Sequence, residues 1–96
     1  MVRKVARIGD KTRGVCKIDG FQSGKIIQGS SNVLTNNRRT ARVGDKVRAN
    51  CGHIGTISTG SPTVKTNFRK NAAIGDKTKG TYKATIVSGS PNTYTE

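Results

Sequence analysis

Three side chains that commonly bind transition metals stand out in an otherwise basic and polar sequence: Cys16, Cys51 and His53. Cys51 and His53 are separated by one residue, which by itself is only a weak indication of a metal site. Thiolate and imidazole together suit zinc, and a structural zinc ion has four tetrahedral ligands. These three residues therefore form the candidate metal site, and a fourth ligand has to come from elsewhere.

The fourth position has three candidates, which are a water molecule, Asp19 and Tyr82. A tyrosine phenolate would favour iron, whereas the thiolates and the imidazole favour zinc. We expect one transition-metal ion, with zinc as the first choice and iron as the second. The structural alternative is that the cysteines are two small buried apolar residues and that the histidine lies at the surface.

Two short motifs recur three times along the chain. The first is Gly-Asp-Lys, at residues 9–11, 44–46 and 75–77, and the second is Gly-Ser, at residues 29–30, 60–61 and 89–90. Internal repeats of this kind indicate a fold built from similar units. The candidate metal ligands have to be placed within that repeat before their spacing can be interpreted.

The spacing between the motifs is constant in one half of the repeat and variable in the other. The interval from a Gly-Ser glycine to the next Gly-Asp glycine is the same both times, whereas the reverse interval becomes shorter with each repeat. We call the segment from Gly-Ser to the next Gly-Asp the constant arm and the segment from Gly-Asp to the next Gly-Ser the variable arm. A constant length indicates structure that packs in the same way each time, and a variable length indicates a loop or tip. Cys16, Cys51 and Tyr82 each follow their Gly-Asp glycine by seven residues. Pseudo-threefold symmetry would therefore bring the variable arms and their metal ligands together.

The remaining sequence predicts an all-β fold in a single domain, residues 1–96, with little or no helix. Short stretches rich in threonine and valine alternate with Gly, Asn and Asp, and no sustained 3.6-residue apolar period is present. Asp19-Gly20, Asn36-Asn37 and Asn67 are predicted turns between short strands. Residues 1–8 are predicted to be either a strand or a lead-in arm.

The charge of the chain is strongly unbalanced, with 18 Lys and Arg against five acidic residues and a formal net charge of +13. Such a surface attracts polyanions, which makes a basic domain binding nucleic acid or another polyanion the alternative function. Four scattered aromatic residues, two Phe and two Tyr, do not suggest a platform for stacking bases, and no recognition helix is predicted. We therefore expect no specific nucleic-acid partner.

Enzymatic activity is not predicted, because the sequence offers no nucleophile, base and orienting group in a common pattern, and the Gly-Asp acids recur at turn positions. No apolar run is long enough to span a membrane, and the polar sequence after Lys4 is unlike a secretory signal. We therefore expect synthesis in a host cytoplasm and no transmembrane segment. A cytosolic origin favours thiols or metal ligands over a disulfide.

The repeated motifs resemble those of the PAAR-repeat family. Residues 40–45 (TARVGD) and 71–76 (NAAIGD) are similar to its Pro-Ala-Ala-Arg-Val-Gly-Asp pattern, and residues 5–10 (VARIGD) are a first, truncated copy. Residues 60–64 (GSPTV) and 87–92 (VSGSPN) resemble its Val-Ser-Gly-Ser-Pro segment. None of the copies has the proline that begins the family pattern.

The resemblance implies a pointed cone of three β repeats with a metal ion at its apex and a flat base. The base would bind the C-terminal end of a homotrimeric β-helical spike protein, one copy per trimer, and the tip would contact the bacterial envelope transiently. Small stand-alone relatives are tip proteins of contractile phage tails, related to those of type VI secretion. The implied location is therefore the virion, at the tip of the central tail spike. We expect the constant arms at the base and the variable arms at the apex.

Overall fold

A computed structural model describes residues 3–18, 20–61, 64–67, 69–90 and 93–95 of the chain. These ranges contain short β-strands and no helix, and hence no helix of the length and apolarity needed to cross a bilayer. The strands are, in chain order, β1 Arg3–Lys4, β2 Lys11–Cys16, β3 Gly20–Ile26, β4 Leu34–Thr35, β5 Arg38–Arg39, β6 Lys46–Ala49, β7 Ile54–Ile57, β8 Lys65–Thr66, β9 Arg69–Lys70, β10 Thr78–Gly80, β11 Tyr82–Ile86 and β12 Tyr94–Thr95. The predicted all-β class is confirmed.

The three variable arms, β2–β3, β6–β7 and β10–β11, are called the long hairpins and together make one nearly closed, barrel-like antiparallel sheet. The strands of the first two are paired with each other, whereas the third arm is joined by the single bridge between Lys77 and Thr85. The strand order is β10-β7-β6-β3-β2-β11, so the two edge strands are consecutive in the chain. Thr78 links these edges, because its hydroxyl donates to the Tyr82 carbonyl over 2.9 Å and accepts the Ala84 N–H over 2.8 Å. This closure protects the backbone groups that an open sheet would leave exposed.

Three short strand pairs alternate with the long hairpins. Two are local hairpins, β4–β5 and β8–β9, and the third is formed by strands near the two chain ends, β1 and β12. The predicted turns at Asn36, Asn37 and Asn67 are confirmed by left-handed φ values of 53°, 64° and 52°, a conformation that asparagine tolerates. Residues 3–4 are thus a strand that completes the third repeat, and the predicted turn residue Asp19 lies outside the described ranges.

The short pairs lie at the opposite end of the sheet from the ends of the long hairpins. Arg38, in the first short hairpin, donates to the Ile8 carbonyl over 2.9 Å, at the Gly-Asp turn where β2 is about to begin. Arg69 makes the equivalent bond to the Val43 carbonyl over 2.8 Å, before β6. We call the three short pairs the base and the far ends of the long hairpins the tip.

Three fully buried alanines join the repeats around the pseudo-threefold axis. Ala6 donates its N–H to the Ala72 carbonyl, Ala72 donates to Ala41, and Ala41 donates to Ala6, over 2.9–3.0 Å. A larger side chain would have no space here, because each alanine has no exposed surface. The ring accounts for the repeated alanine that precedes each Gly-Asp motif.

The Gly-Ser motif recurs because each serine forms hydrogen bonds with backbone groups where the chain reverses direction. The Ser30 N–H donates to the Thr40 carbonyl over 2.8 Å, and its hydroxyl accepts the Val33 N–H over 2.9 Å. The same two bonds recur at Ser61 and Ser90, and all three serines are fully buried. A hydroxyl that pairs with the local backbone in this way favours a turn over continued strand.

The interior of the sheet is layered from base to tip. A layer of buried isoleucines, Ile26, Ile57 and Ile86, comes first. It is followed along the returning strands by a layer of very small residues, Gly24, Gly55 and Ala84. The buried isoleucines therefore lie in the base half, and the strands approach closely in the middle of the sheet.

Gly14→Ala is predicted to lower the free energy of unfolding by about 2–3 kcal/mol, the usual cost of overpacking. A Cβ atom at Gly14 would lie 2.1 Å from the Lys83 carbonyl oxygen and 2.4 Å from Ala84 Cα, so the paired strand would have to move. Gly20→Ala is the control, since it meets no atom within 4 Å and costs only the strain of its left-handed φ of 80°. Urea unfolding measures both, and equal losses would contradict the prediction.

Candidate metal centre

The three predicted metal ligands converge at the tip. Cys16 ends β2, where it pairs with Tyr82 of β11. Cys51 and His53 lie in the turn between β6 and β7. Two backbone hydrogen bonds of 2.9 Å close this turn: the Gly52 N–H donates to the Ala49 carbonyl, and the Ala49 N–H donates to the His53 carbonyl. Two different hairpins therefore contribute donors to the same place.

The distances between the donor atoms fit one metal ion. Cys16 Sγ is 3.3 Å and Cys51 Sγ is 3.2 Å from His53 Nδ1, and all three atoms lie within 4.8 Å of one another. Tetrahedral zinc with ordinary bond lengths places sulfur and nitrogen ligands roughly 3.6 Å apart. Because Nδ1 has a single in-plane bonding direction, two sulfurs converging on it fit a shared ion better than two hydrogen bonds.

The burial of the three ligands is graded. Cys16 is fully buried, whereas Cys51 and His53 are half-buried, and the two cysteines are not joined in a disulfide. An ion at this point would thus be held from inside the sheet and would face outward on one side. The donor set of two thiols and one imidazole matches a site for a soft or borderline metal such as zinc.

Tyr82 is fully buried beside this site, but its hydroxyl has other partners. It forms a 2.9 Å hydrogen bond with Thr12 Oγ1 and donates to the Gln22 carbonyl over 3.3 Å. Burial raises the pKa of Tyr82, a smaller effect of the Thr12 hydrogen bond lowers it, and negative charge at Cys51 raises it further. Burial, the largest of these effects, favours the neutral phenol over a phenolate ligand. Asp19, the other candidate from the protein, lies outside the described residues.

Gln22 and Thr12 were not singled out by the sequence. Gln22, His53 and Tyr82 each precede their Gly-Ser glycine by seven residues, and all three lie on or just before a returning strand. Counting backward from the Gly-Ser glycines would have grouped Gln22, His53 and Tyr82, whereas counting forward from the Gly-Asp glycines grouped Tyr82 with the two cysteines. The variable arm is shortest in the third repeat, where Tyr82 lies at its midpoint, so one residue satisfies both counts.

The Gly-Asp aspartates form a separate, structural group at the base half of the sheet. Asp45 is buried and accepts the Arg42 N–H over 2.8 Å, two bonds of 3.0 Å from the Arg42 side chain, and one of 3.1 Å from Arg69. Asp10 has equivalent partners in Arg7 and Arg38, and the bonds to Asp10 raise the pKa of Arg7 against the opposing effect of burial. Carboxylates held in this way are not available as catalytic acids or bases.

The third aspartate shows how the repeats have diverged. Ala73 replaces the arginine found at residues 7 and 42, so Asp76 accepts its N–H over 2.8 Å but gains no side-chain bonds from it. Arg3 bonds Asp76 over 2.7 Å, and Thr59 adds a further bond over 3.0 Å. The geometry of the turn is thus retained with one arginine fewer.

Comparison with known proteins supports the interpretation of the repeats. No curated protein matches the chain significantly. A family model, the PAAR motif, matches residues 22–80, a region that includes Cys51, His53 and two of the three Gly-Asp motifs and spans more than half of the 96 residues. The chain belongs to the PAAR-motif family.

Proposed function

We propose that this protein caps and sharpens the trimeric β-helical spike of a contractile injection machine, as the tip of a phage tail's central spike. Membership of the PAAR family makes it a spike-tip protein that is carried by a spike partner. The observation that favours a trimeric partner is the ring of Ala6, Ala41 and Ala72, since it gives one chain an internal threefold axis. A protein made in the host cytoplasm and assembled into the virion fits this role.

The base offers three similar surfaces to such a spike. Leu34 and Tyr94 occupy equivalent positions in two of the short pairs and are 58% and 53% exposed, while Lys65 occupies the third. Val33 and Val64 precede these strands and are also exposed. Apolar side chains and short strand edges repeated around an axis suit the end of a threefold β-structure, whose own edges are open to further pairing.

One chain is predicted to bind one spike trimer, because its three repeats already match the three subunits. Co-expression with candidate trimeric β-helical spike proteins, followed by light scattering of the purified complex, measures this ratio. Three chains per trimer would contradict the proposal.

Matched variants test which end binds the spike. Leu34→Glu with Tyr94→Glu at the base should weaken binding roughly thousandfold, since two buried interface anchors each contribute about 2 kcal/mol or more. Ile18→Glu with Phe21→Glu at the tip adds the same charge and should leave binding unchanged. If the base variant still bound the spike and the tip variant did not, the assignment of the two ends would be reversed.

We also propose that Cys16, Cys51 and His53 hold one structural ion, zinc in the first place and iron in the second, with water as the fourth ligand. Such an ion would tie the first long hairpin to the second at the tip of the sheet, beyond the layer of Gly24, Gly55 and Ala84. Its role is mechanical stiffness under load. The protein has no enzymatic role in this proposal, because the described acids are engaged in structural ion pairs.

A further inference from the structure

The outward face of the long hairpins is a belt of basic side chains. Along each strand, inward residues alternate with outward ones, and the outward positions are rich in Lys and Arg. The belt comprises Lys11, Arg13, Lys25, Lys46, Arg48, Lys79 and Lys83, all of them exposed. None of the seven forms an ion pair with another described residue, because Asp10, Asp45 and Asp76 are buried and pair with other arginines.

An exposed apolar cluster lies where this belt reaches the tip of the first long hairpin. Phe21 is 87% exposed, Ile18 is 69% exposed and Val15 is 43% exposed. Val15 and Phe21 face each other across β2 and β3, and Ile18 lies in the turn that joins these strands. Apolar side chains this exposed, next to a basic surface, mark a binding site more often than an inert surface.

Along the axis from tip to base, the apolar cluster comes first and the basic side chains follow, which is the order of acyl chains and phosphates at the surface of a lipid bilayer. Lys83 pairs with Val15, Arg13 lies two residues below Val15, and Lys25 lies four residues below Phe21. With a rise of about 3.3 Å per residue, these cations lie from about 0 to 13 Å below the apolar cluster. Interfacial apolar groups enter a bilayer by about 5–10 Å, so the cations would lie at the level of the phosphates.

We propose that the tip binds the surface of an anionic lipid bilayer, with Phe21, Ile18 and Val15 in the interface and the basic belt against the headgroup phosphates. Nucleic acid is the less suitable partner, because Phe21 is the one aromatic residue of the cluster, Ile18 and Val15 cannot stack on bases, and Tyr82 is buried; Phe68 lies outside the described residues. The inference does not rest on the proposed spike, since the base and the tip are at opposite ends of the sheet.

The first test changes charge at one end only. Arg13→Gln, Lys25→Gln and Lys83→Gln together remove three cations next to the apolar cluster, whereas Lys4→Gln, Lys65→Gln and Lys70→Gln remove three exposed cations at the base. Both variants are compared by co-sedimentation with vesicles of phosphatidylcholine alone and of equal parts phosphatidylcholine and phosphatidylglycerol. Each basic residue near an anionic surface contributes about fivefold, so the first variant should bind mixed vesicles roughly hundredfold less tightly. The second should bind nearly as the unchanged protein does.

The second test follows the apolar cluster directly. The chain has no tryptophan, so a single introduced indole reports its own surroundings. In Phe21→Trp, mixed vesicles should shift the emission to shorter wavelength, and brominated lipids should quench it. In Leu34→Trp, at the base, neither change should occur. Circular dichroism and thermal unfolding of each variant establish that the substitutions at these exposed positions leave the fold intact.

Three results would overturn the proposal. Equal loss of vesicle binding in both charge variants would mean that net charge alone attracts the protein, and equal binding to vesicles of phosphatidylcholine alone would show that anionic lipid is not required. If the protein still bound duplex DNA at a salt concentration at which it released the vesicles, the surface would be a nucleic-acid-binding surface instead. Spike binding by the same variants distinguishes this proposal from the previous one, because the tip substitutions should leave it unchanged.

Discussion

Cys16→Ser is expected to lower the melting temperature by about 15 °C, which corresponds to about 3 kcal/mol for a chain of this size. The isoleucine layer lies in the base half and very small residues follow in the middle, so that, apart from Tyr82, the side chains buried near the site are small, such as Cys16 and Ala49. A structural ion contributes its binding energy to folding, and its removal leaves the ligands without a common partner. Differential scanning calorimetry, with and without a chelator, measures the effect.

The control for this prediction is Val15→Ser, the neighbouring residue on β2, which faces outward and offers no donor to the site. It should change the melting temperature little, and it should remain sensitive to chelators, whereas Cys16→Ser should not respond to them. The chelator-sensitive part of the stability should shrink as the pH falls, because protons compete with the metal for cysteine and histidine. Elemental analysis that finds no metal, with Cys16→Ser as stable as the unchanged protein, would refute the site.

Asp45→Asn is expected to cost about 3–5 kcal/mol, the usual effect of removing one partner from a buried ion pair. The carboxylate is 2% exposed and accepts bonds from the backbone and side chain of Arg42 and from the side chain of Arg69. The substitution keeps the size of the side chain but leaves two guanidinium groups beside a neutral amide. Chemical unfolding at neutral pH measures the loss.

Asp76→Asn provides the internal comparison, because this aspartate pairs with Arg3 and lacks a second arginine at the position of Ala73. Its substitution should be less costly than that of Asp45 by about 1 kcal/mol or more, since charged hydrogen bonds contribute about 1.5–3 kcal/mol each. Equal losses at the two sites would show that the turn geometry, and not the ion pairs, determines stability.

Much of the fold follows from local features of the sequence. The asparagine turns, the short strands and the three repeats were all predictable, because each depends on residues close together in the chain. The convergence of Cys16 with Cys51 and His53 was predictable for a different reason, since equivalent positions in symmetric repeats meet near the axis. The structure brings the three donor atoms within 4.8 Å, as that argument requires.

Other features depend on contacts that leave no local signal. The pairing of β1 with β12 joins residues far apart in the chain, so the sequence left residues 1–8 as either a strand or a lead-in arm. The partners of Asp45 include Arg69, which belongs to the next short hairpin along the chain. Gln22 and Thr12 come to lie beside Tyr82 through the pairing of β2 with β11, which are far apart in the chain, and with β3. No periodicity predicts such long-range partners, because they are determined by packing between repeats.

The pairing of the first strand with the last also bears on how the chain folds. β1 has its sheet partner in β12, and β2 has one of its two partners in β11, so the first repeat is incomplete until residues 82–95 have been made. Closing so long a loop costs entropy before its contacts form, which slows folding in β-proteins. On the ribosome, ring closure therefore has to wait until residues 82–95 have left the exit tunnel, long after the first repeat has emerged.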